Sequence, residues 1–280
     1  PSDVMLWLGD NVYLREADWN SRSGILHRYT HTRAYPGLQP FLASRAHYAT
    51  WDDHDFGPNN SNRSYWGKDL TLEAHKLFWP APSYGVMGKP GITTTFEMLD
   101  VQVFLMDDRY YRTPERRLDQ DHEILGEHQV EWLIDALASS WATFKIVAVG
   151  SQFLATDTRK EGFIHAKKER DRILQLIADN DISGVLFVSG DVHGAELMKF
   201  ERAGTYPIYE FTSSALTAGS NKNIADQPSD HRIPGTAYGG HNFGVLTVSG
   251  KRKERVLTLQ LMDKDGNEVW KREISENDLR

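Results

Sequence analysis

Apolar runs closed by Gly, Ser or Asp recur along the chain, at Val4–Leu8 and at residues 101–106, 144–149 and 185–188. Short apolar runs of this kind, bounded by turn residues, read as buried strands. Between them lie segments with helical spacing. The clearest is Glu127–Ser139, where Trp132, Leu133, Ala136 and Leu137 can share one face, and a second covers about residues 165–179 with Ile173, Leu174 and Ile177 apolar. Strand and helix in alternation predict an α/β core. After about Tyr206 the pattern changes to strands without clear helices, ending in residues 243–248, 255–261 and 268–274, with Asp265-Gly266 as a hairpin turn between the last two. Residues 20–44 and 56–91 are long, aromatic and rich in Pro and Gly, and read as loops that wall a site.

With 280 residues and 40% apolar content the chain can bury a large core and form one large domain over residues 1–280, with two smaller domains as the alternative. The formal charge of -7 argues against a general nucleic-acid binder, whose affinity rests on clustered Lys and Arg. Cysteine is absent, which removes disulfides and thiolate chemistry. No run of about 18 apolar residues predicts a membrane span. The opening Pro1-Ser2-Asp3 shows no signal peptide, and the chain reads as a mature or trimmed piece.

Candidate chemistry sits where strands end. Asp10 follows Gly9, which lets the backbone turn sharply, so its carboxylate can project from the sheet's carboxyl edge, and Tyr13 can add a phenolate suited to a ferric ion. Trp51-Asp52-Asp53-His54-Asp55 crowds three carboxylates into four positions, a repulsion that a cation would offset. Asp191 and His193 stand at i and i+2 after the strand at 185–188, so they can point the same way. Singly, each fits a blander reading: a strand-ending turn, a solvated acidic turn, a satisfied core histidine. Three strand ends delivering Asp, two of them with His, favour a shared metal site. Arg109, in Asp107-Asp108-Arg109-Tyr110-Tyr111-Arg112, could hold phosphate oxygens in a forked geometry or could pair with Asp107 or Asp108.

Other motifs fail. His122-Glu123 lacks a second His four positions on, and the glycine of Asp263-Lys264-Asp265-Gly266 comes too early for an EF-hand loop. Ser213-Ser214 has no nucleophile-elbow pattern. His27 and His31 read as a structural or surface pair. Asn59-Asn60-Ser61 and Asn62-Arg63-Ser64 match the glycosylation pattern, awkwardly close to the acidic cluster.

In order along the chain, Leu8-Gly9-Asp10 to Tyr13, Trp51 to Asp55, Asp108 to Arg112, Leu125-Gly126 to Gln129 with Trp132-Leu133, Gly150-Ser151-Gln152 and Ser189 to His193 resemble the alkaline phosphatase D (PhoD-like) family of metallophosphatases. The resemblance implies a four-layer α/β/β/α sandwich of two mixed sheets flanked by helices, lacking an earlier strand that supplies a further metal ligand. It implies a dinuclear or larger centre of Fe3+ and Ca2+, with Asp10 bridging and Tyr13, Asp53, Asp191 and His193 as further ligands. His54 would face the substrate and act with Arg109 in catalysis, and Arg109 and Asn59 would contact the substrate. The implied activity is hydrolysis of small phosphate monoesters or diesters by a metal-activated water, outside the cytoplasm. Two rivals are a non-catalytic relic with an incomplete centre and a carbohydrate-active enzyme that uses paired carboxylates without metal.

Overall fold

A computed structural model describes residues 3–216 and 218–280. The chain runs β1 (Val4–Leu8), α1 (Arg22–Arg33), α2 (Gln39–Leu42), β2 (Ala46–Thr50), α3 (Asp53–Phe56), α4 (Lys68–Phe78), β3 (Thr94–Met98), β4 (Val101–Leu105), α5 (Glu127–Ser139), β5 (Phe144–Ala148), α6 (Lys167–Asp179), β6 (Val185–Ser189), β7 (Ala195–Phe200), β8 (Ile208–Ser213), β9 (Asn242–Ser249), β10 (Val256–Asp263) and β11 (Glu268–Ser275). The strands form three hydrogen-bonded groups. One is mixed, in the order β3-β4-β5-β6-β8-β7, with β4, β5, β6 and β8 mutually parallel and β3 and β7 antiparallel at the edges. β1 and β2 form a parallel pair, and β9 to β11 an antiparallel meander.

Strands β4, β5 and β6 are buried at every position, which is why they read as unbroken apolar runs. Helix α5 has the expected bounds and buries Val130, Leu133, Ile134 and Leu137, a spacing that keeps one face on the sheet. Helix α6 buries Ile173, Leu174 and Ile177 in the same core, which Leu257, Leu259, Leu261 and Trp270 of the meander also join. Each such fully buried side chain contributes about 1.5–3 kcal/mol. The terminal hairpin turns at Asp265-Gly266, where Asp263 accepts from the backbone N–H of Asp265 and Asn267.

Residues 20–44 and 56–91 are not mere loops, because they carry α1 and α4. Their helical pattern is weak in the sequence, since α1 buries only Ile25 and Tyr29 among polar neighbours. Ser21 caps α1 by accepting from Gly24 N. With Trp7, Ala49 and Trp79, α1 and α4 build a second core over the β1–β2 pair. His27 and His31 stack at 5.9 Å between ring centroids on the exposed side of α1, as a surface pair. No helix among the described residues is long and apolar enough to cross a membrane.

The parallel strands β1, β2, β4, β5 and β6 lead into Gly9, Trp51, Asp107, Gly150 and Gly190, and these strand ends meet at one edge. Gly190 N donates to Gly150 O at 2.9 Å, and Thr50 Oγ1 reaches Met106 O at 2.6 Å. A side chain at Gly9 would lie 2.5 Å from the Asp52 Cβ, and one at Gly190 would lie 2.4 Å from Leu8 O. Only glycine lets these backbones approach so closely.

Candidate metal centre

Residues from β1, β2 and β6 converge at this edge. Tyr13 Oη donates to Asp10 Oδ2 at 3.1 Å and stands 3.1 Å from His193 Nε2. The backbone N–H of His54 donates to Asp10 Oδ1 at 3.2 Å, and the rings of His54 and Tyr13 lie 4.5 Å apart. Ligand atoms of Asp10, Asp53 and His54 all fall within 4.8 Å of one another. Asp53 opens the short α3 turn, is 3% exposed, and accepts from Asn60 N at 2.6 Å. That turn is held by Asp55, whose carboxylate takes the N–H of Asp52 at 2.7 Å and both the backbone and side-chain N–H of Asn11. Asp10, Asp191 and His193 all sit at positive φ, 51°, 64° and 57°, a backbone region that non-glycine residues rarely occupy. Such conformations persist where the surroundings hold them, and they gather at functional sites.

The electrostatics of the cluster are unbalanced. Burial, then the charges of Asp53, Asp55 and Asp191, push the Asp10 carboxyl up to about 9. Burial, followed by Glu161 and Asp53, pushes Asp191 up to about 7. Burial and then the Asp10 charge hold the Tyr13 phenol well above its usual value, and burial together with His54 lowers His193. No Lys or Arg side chain forms an ion pair with Asp10, Asp53 or Asp191 among the described residues. A hard cation would supply the missing positive charge, and carboxylate, phenol and imidazole are a donor set that fits one.

Arg109 does not belong to the exposed part of this site. It is fully enclosed, and its guanidinium is engaged by Asp52, by Glu161 at 3.1 and 2.6 Å, by Ser61 O at 3.3 Å and by Ser151 Oγ at 3.3 Å. This corrects both expectations for Arg109: the guanidinium neither faces the substrate side nor pairs on the surface with Asp107 or Asp108. The local sequence cannot reveal it, because the partners come from 57 and 52 positions away. Asp107 and Asp108 instead organise backbone. Asp107 accepts from Trp51 Nε1 at 2.8 Å and from Tyr110 N at 2.9 Å, while Asp108 accepts from Ser151 N at 2.8 Å. Gln129 bridges Asp107 N and Asp107 O, at 3.0 and 2.7 Å. Asn59 is exposed on the turn after α3, with its side chain on Asn60.

Glu161 and Asp52 are the residues that sequence reasoning missed. Asp52 lies inside the acidic motif, where nothing in the local pattern separates it from Asp53. Glu161 carries no motif, and its role shows only in its contacts.

The chain is thus a mixed α/β protein whose strand ends gather carboxylates, a phenol and imidazoles into one cluster that could hold a metal ion. A profile of the PhoD-like phosphatase family matches residues 1–253, and the chain belongs to that family. The chain is 22% identical over 283 residues to alkaline phosphatase D of Bacillus subtilis (strain 168), an alignment covering 81% of this chain and 48% of that protein. It thus spans about half the length of this curated relative. A solved structure of PhoD superposes with a TM-score of 0.76 at 17% identity, covering 98% of this chain and 66% of that one. The structure of GAP50, described as the anchor in the inner membrane complex of Plasmodium, superposes with a TM-score of 0.52 at 12% identity, covering 98% and 78%.

Proposed function

We infer that this chain is a metal-dependent phosphoesterase that hydrolyses small phosphate monoesters, diesters or both. One observation carries the reading: the Asp10, Asp53 and His54 ligand atoms converge within 4.8 Å, with no cationic side chain to pair the carboxylates among the described residues. Membership of the PhoD-like phosphatase family supplies the reaction class.

In this reading Asp10, Tyr13, Asp53, Asp191 and His193 would hold the cations, for which Fe3+ and Ca2+ suit a donor set of phenol, carboxylates and imidazole. Cations held there would activate a water and draw phosphoryl oxygens into the site. Tyr13, hydrogen-bonded to Asp10 and adjacent to His193, fixes the spacing of those two side chains. His54 is our choice for giving a proton to the leaving oxygen; its half-buried ring beside Tyr13 supports this, since a proton donor must meet both the centre and the substrate. Asn59, exposed and next in the chain to Asn60, whose N–H reaches Asp53, is assigned as a substrate contact. We further read the fold as a four-layer sandwich in one domain, supported by α1 and α4 lying over the β1–β2 pair and α5 and α6 lying over the mixed sheet.

The test is hydrolysis of nitrophenyl phosphate and bis-nitrophenyl phosphate by protein stripped with chelator and reconstituted with Ca2+ and Fe3+. Turnover that appears only on reconstitution is expected. A reconstituted protein without turnover would make the chain a relic of the fold, and equal turnover in chelator would point to metal-free carboxylate chemistry.

A further inference from the structure

Beside the centre lies a second set of charges, in which the guanidinium groups are buried. Arg109 and Arg112 are 0% and 2% exposed, and Glu161 clamps both: Arg109 through two bonds, Arg112 at 3.2 Å. Arg109 also holds Asp52, and Arg112 also reaches Glu115 at 3.3 Å. Carboxylate oxygens of Asp52, Asp53 and Glu161 fall within 4.8 Å of one another. This second acidic trio is not itself a cation site, because the Arg109 guanidinium already joins Asp52 to Glu161. It is the seam between the guanidinium pair and the carboxylates of the centre.

We propose that Glu161 is a positioning residue of the metal centre: by clamping Arg109 and Arg112 it offsets, together with Asp52 on the first and Glu115 on the second, the two buried guanidinium charges, so that Asp10, Asp53 and Asp191 stay available to cations. The inference rests on reading the centre as a cation site. The physics is charge balance at short range. Buried charges a few ångströms apart are weakly screened, so an uncompensated guanidinium behind Asp53 competes with any incoming cation. Both oxygens of Glu161 are taken by the arginines, so it acts through them. Burial opposes its ionisation, but Arg109 and Arg112 outweigh burial and hold its carboxyl down at about 2, so the clamp stays charged at working pH. Residue 161 follows β5 in the chain and the arginines follow β4, so the clamp also ties together the two loops that flank the centre.

The test measures cation affinity rather than turnover. Chelator-stripped wild-type protein, Glu161→Gln, Glu161→Asp, Arg112→Gln and the double variant Glu161→Gln/Arg112→Gln are titrated calorimetrically with Mn2+ and, separately, with Ca2+. Glu161→Gln keeps the side-chain shape and removes the charge, and it is expected to weaken cation binding about tenfold or more. Glu161→Asp keeps the charge and should stay within about threefold of wild type. Arg112→Gln removes one buried positive charge and should tighten binding by about threefold, and the double variant should return close to wild type. A purely structural Glu161 would lower the melting temperature of Glu161→Gln without moving its cation affinity, and that result overturns the proposal. Should Glu161→Gln fail to fold, Arg112→Gln decides: unchanged or weaker binding overturns the proposal, tighter binding supports it. If the wild type binds neither cation, the phosphoesterase reading itself fails and takes this inference with it. If the wild type binds and Glu161→Gln binds equally, only this inference falls.

Discussion

Asp52 and Asp53 are neighbours in the chain and meet opposite fates. Asp52 is enclosed with a guanidinium on one oxygen, inside a network where Arg109 and Arg112 meet Glu161 and Asp52. Asp53 faces Asp10 and His54, takes a backbone N–H, and has no cationic side chain of its own among the described residues. One region is electrostatically closed by the protein's own side chains, and the other is, in the reading proposed above, left open for a bound cation. A carboxylate cluster therefore marks a metal site when the cations that would neutralise it are missing, rather than when acids are merely numerous.

The sharpest break in that comparison is Asp10→Asn. It removes the carboxylate that Tyr13 and His54 both contact, and cation content and kcat/KM should fall together, the latter by about a thousandfold or more; elemental analysis beside steady-state kinetics measures both. Arg109→Met attacks the closed side. It leaves Asp52 buried without its guanidinium and Glu161 with Arg112 alone, and urea unfolding should show a loss of about 3–5 kcal/mol. A stable variant with only a raised KM would return Arg109 to the substrate.

The two sides were not equally legible in the sequence. Strands β4, β5 and β6 and helix α5 were plain because they are buried along one face or throughout, and periodicity reports burial. β8 was hidden because it carries a buried Glu210 that accepts the N–H groups of Phe153 and Leu154, so its polar residue breaks the apolar run. β2 and β7 were missed for similar reasons, having exposed ends or a buried Glu196 paired with Arg232. Asp10, Asp53, Asp191 and His193 stood out because each follows a strand end. The Arg109 network did not, since its ion pairs join residues more than fifty positions apart.

Acidity tests the open side without mutation. Asp10 is raised to about 9, and Asp55 and Asp191 to about 7, so the folded, cation-free protein binds more protons than the unfolded chain between the ordinary carboxylate range and about pH 9. Stability of the stripped protein should therefore fall as pH rises through that window, because deprotonation favours the unfolded state. Added Ca2+ should reverse the slope, since a cation replaces the protons. Thermal melts at stepped pH with and without Ca2+ read this, and identical slopes would count against the unbalanced cluster.

Smaller effects refine the picture. Tyr13→Phe removes the hydroxyl between Asp10 and His193 and should lower kcat/KM by about tenfold, with loss of any visible absorption band in the Fe3+ form. Asn59→Ala, on an exposed turn, should change stability by no more than about 0.5 kcal/mol, with KM for nitrophenyl phosphate as the informative readout.

The central claim is that the edge of the sheet traps cations because the protein leaves its carboxylates there unpaired. Elemental analysis of protein purified without chelator tests it most directly. The account predicts roughly two metal equivalents per chain, lost in Asp10→Asn and retained in Asn59→Ala. A wild-type protein that carries no metal, takes up none on dialysis against Ca2+ and Fe3+, and is equally stable with and without them would contradict it.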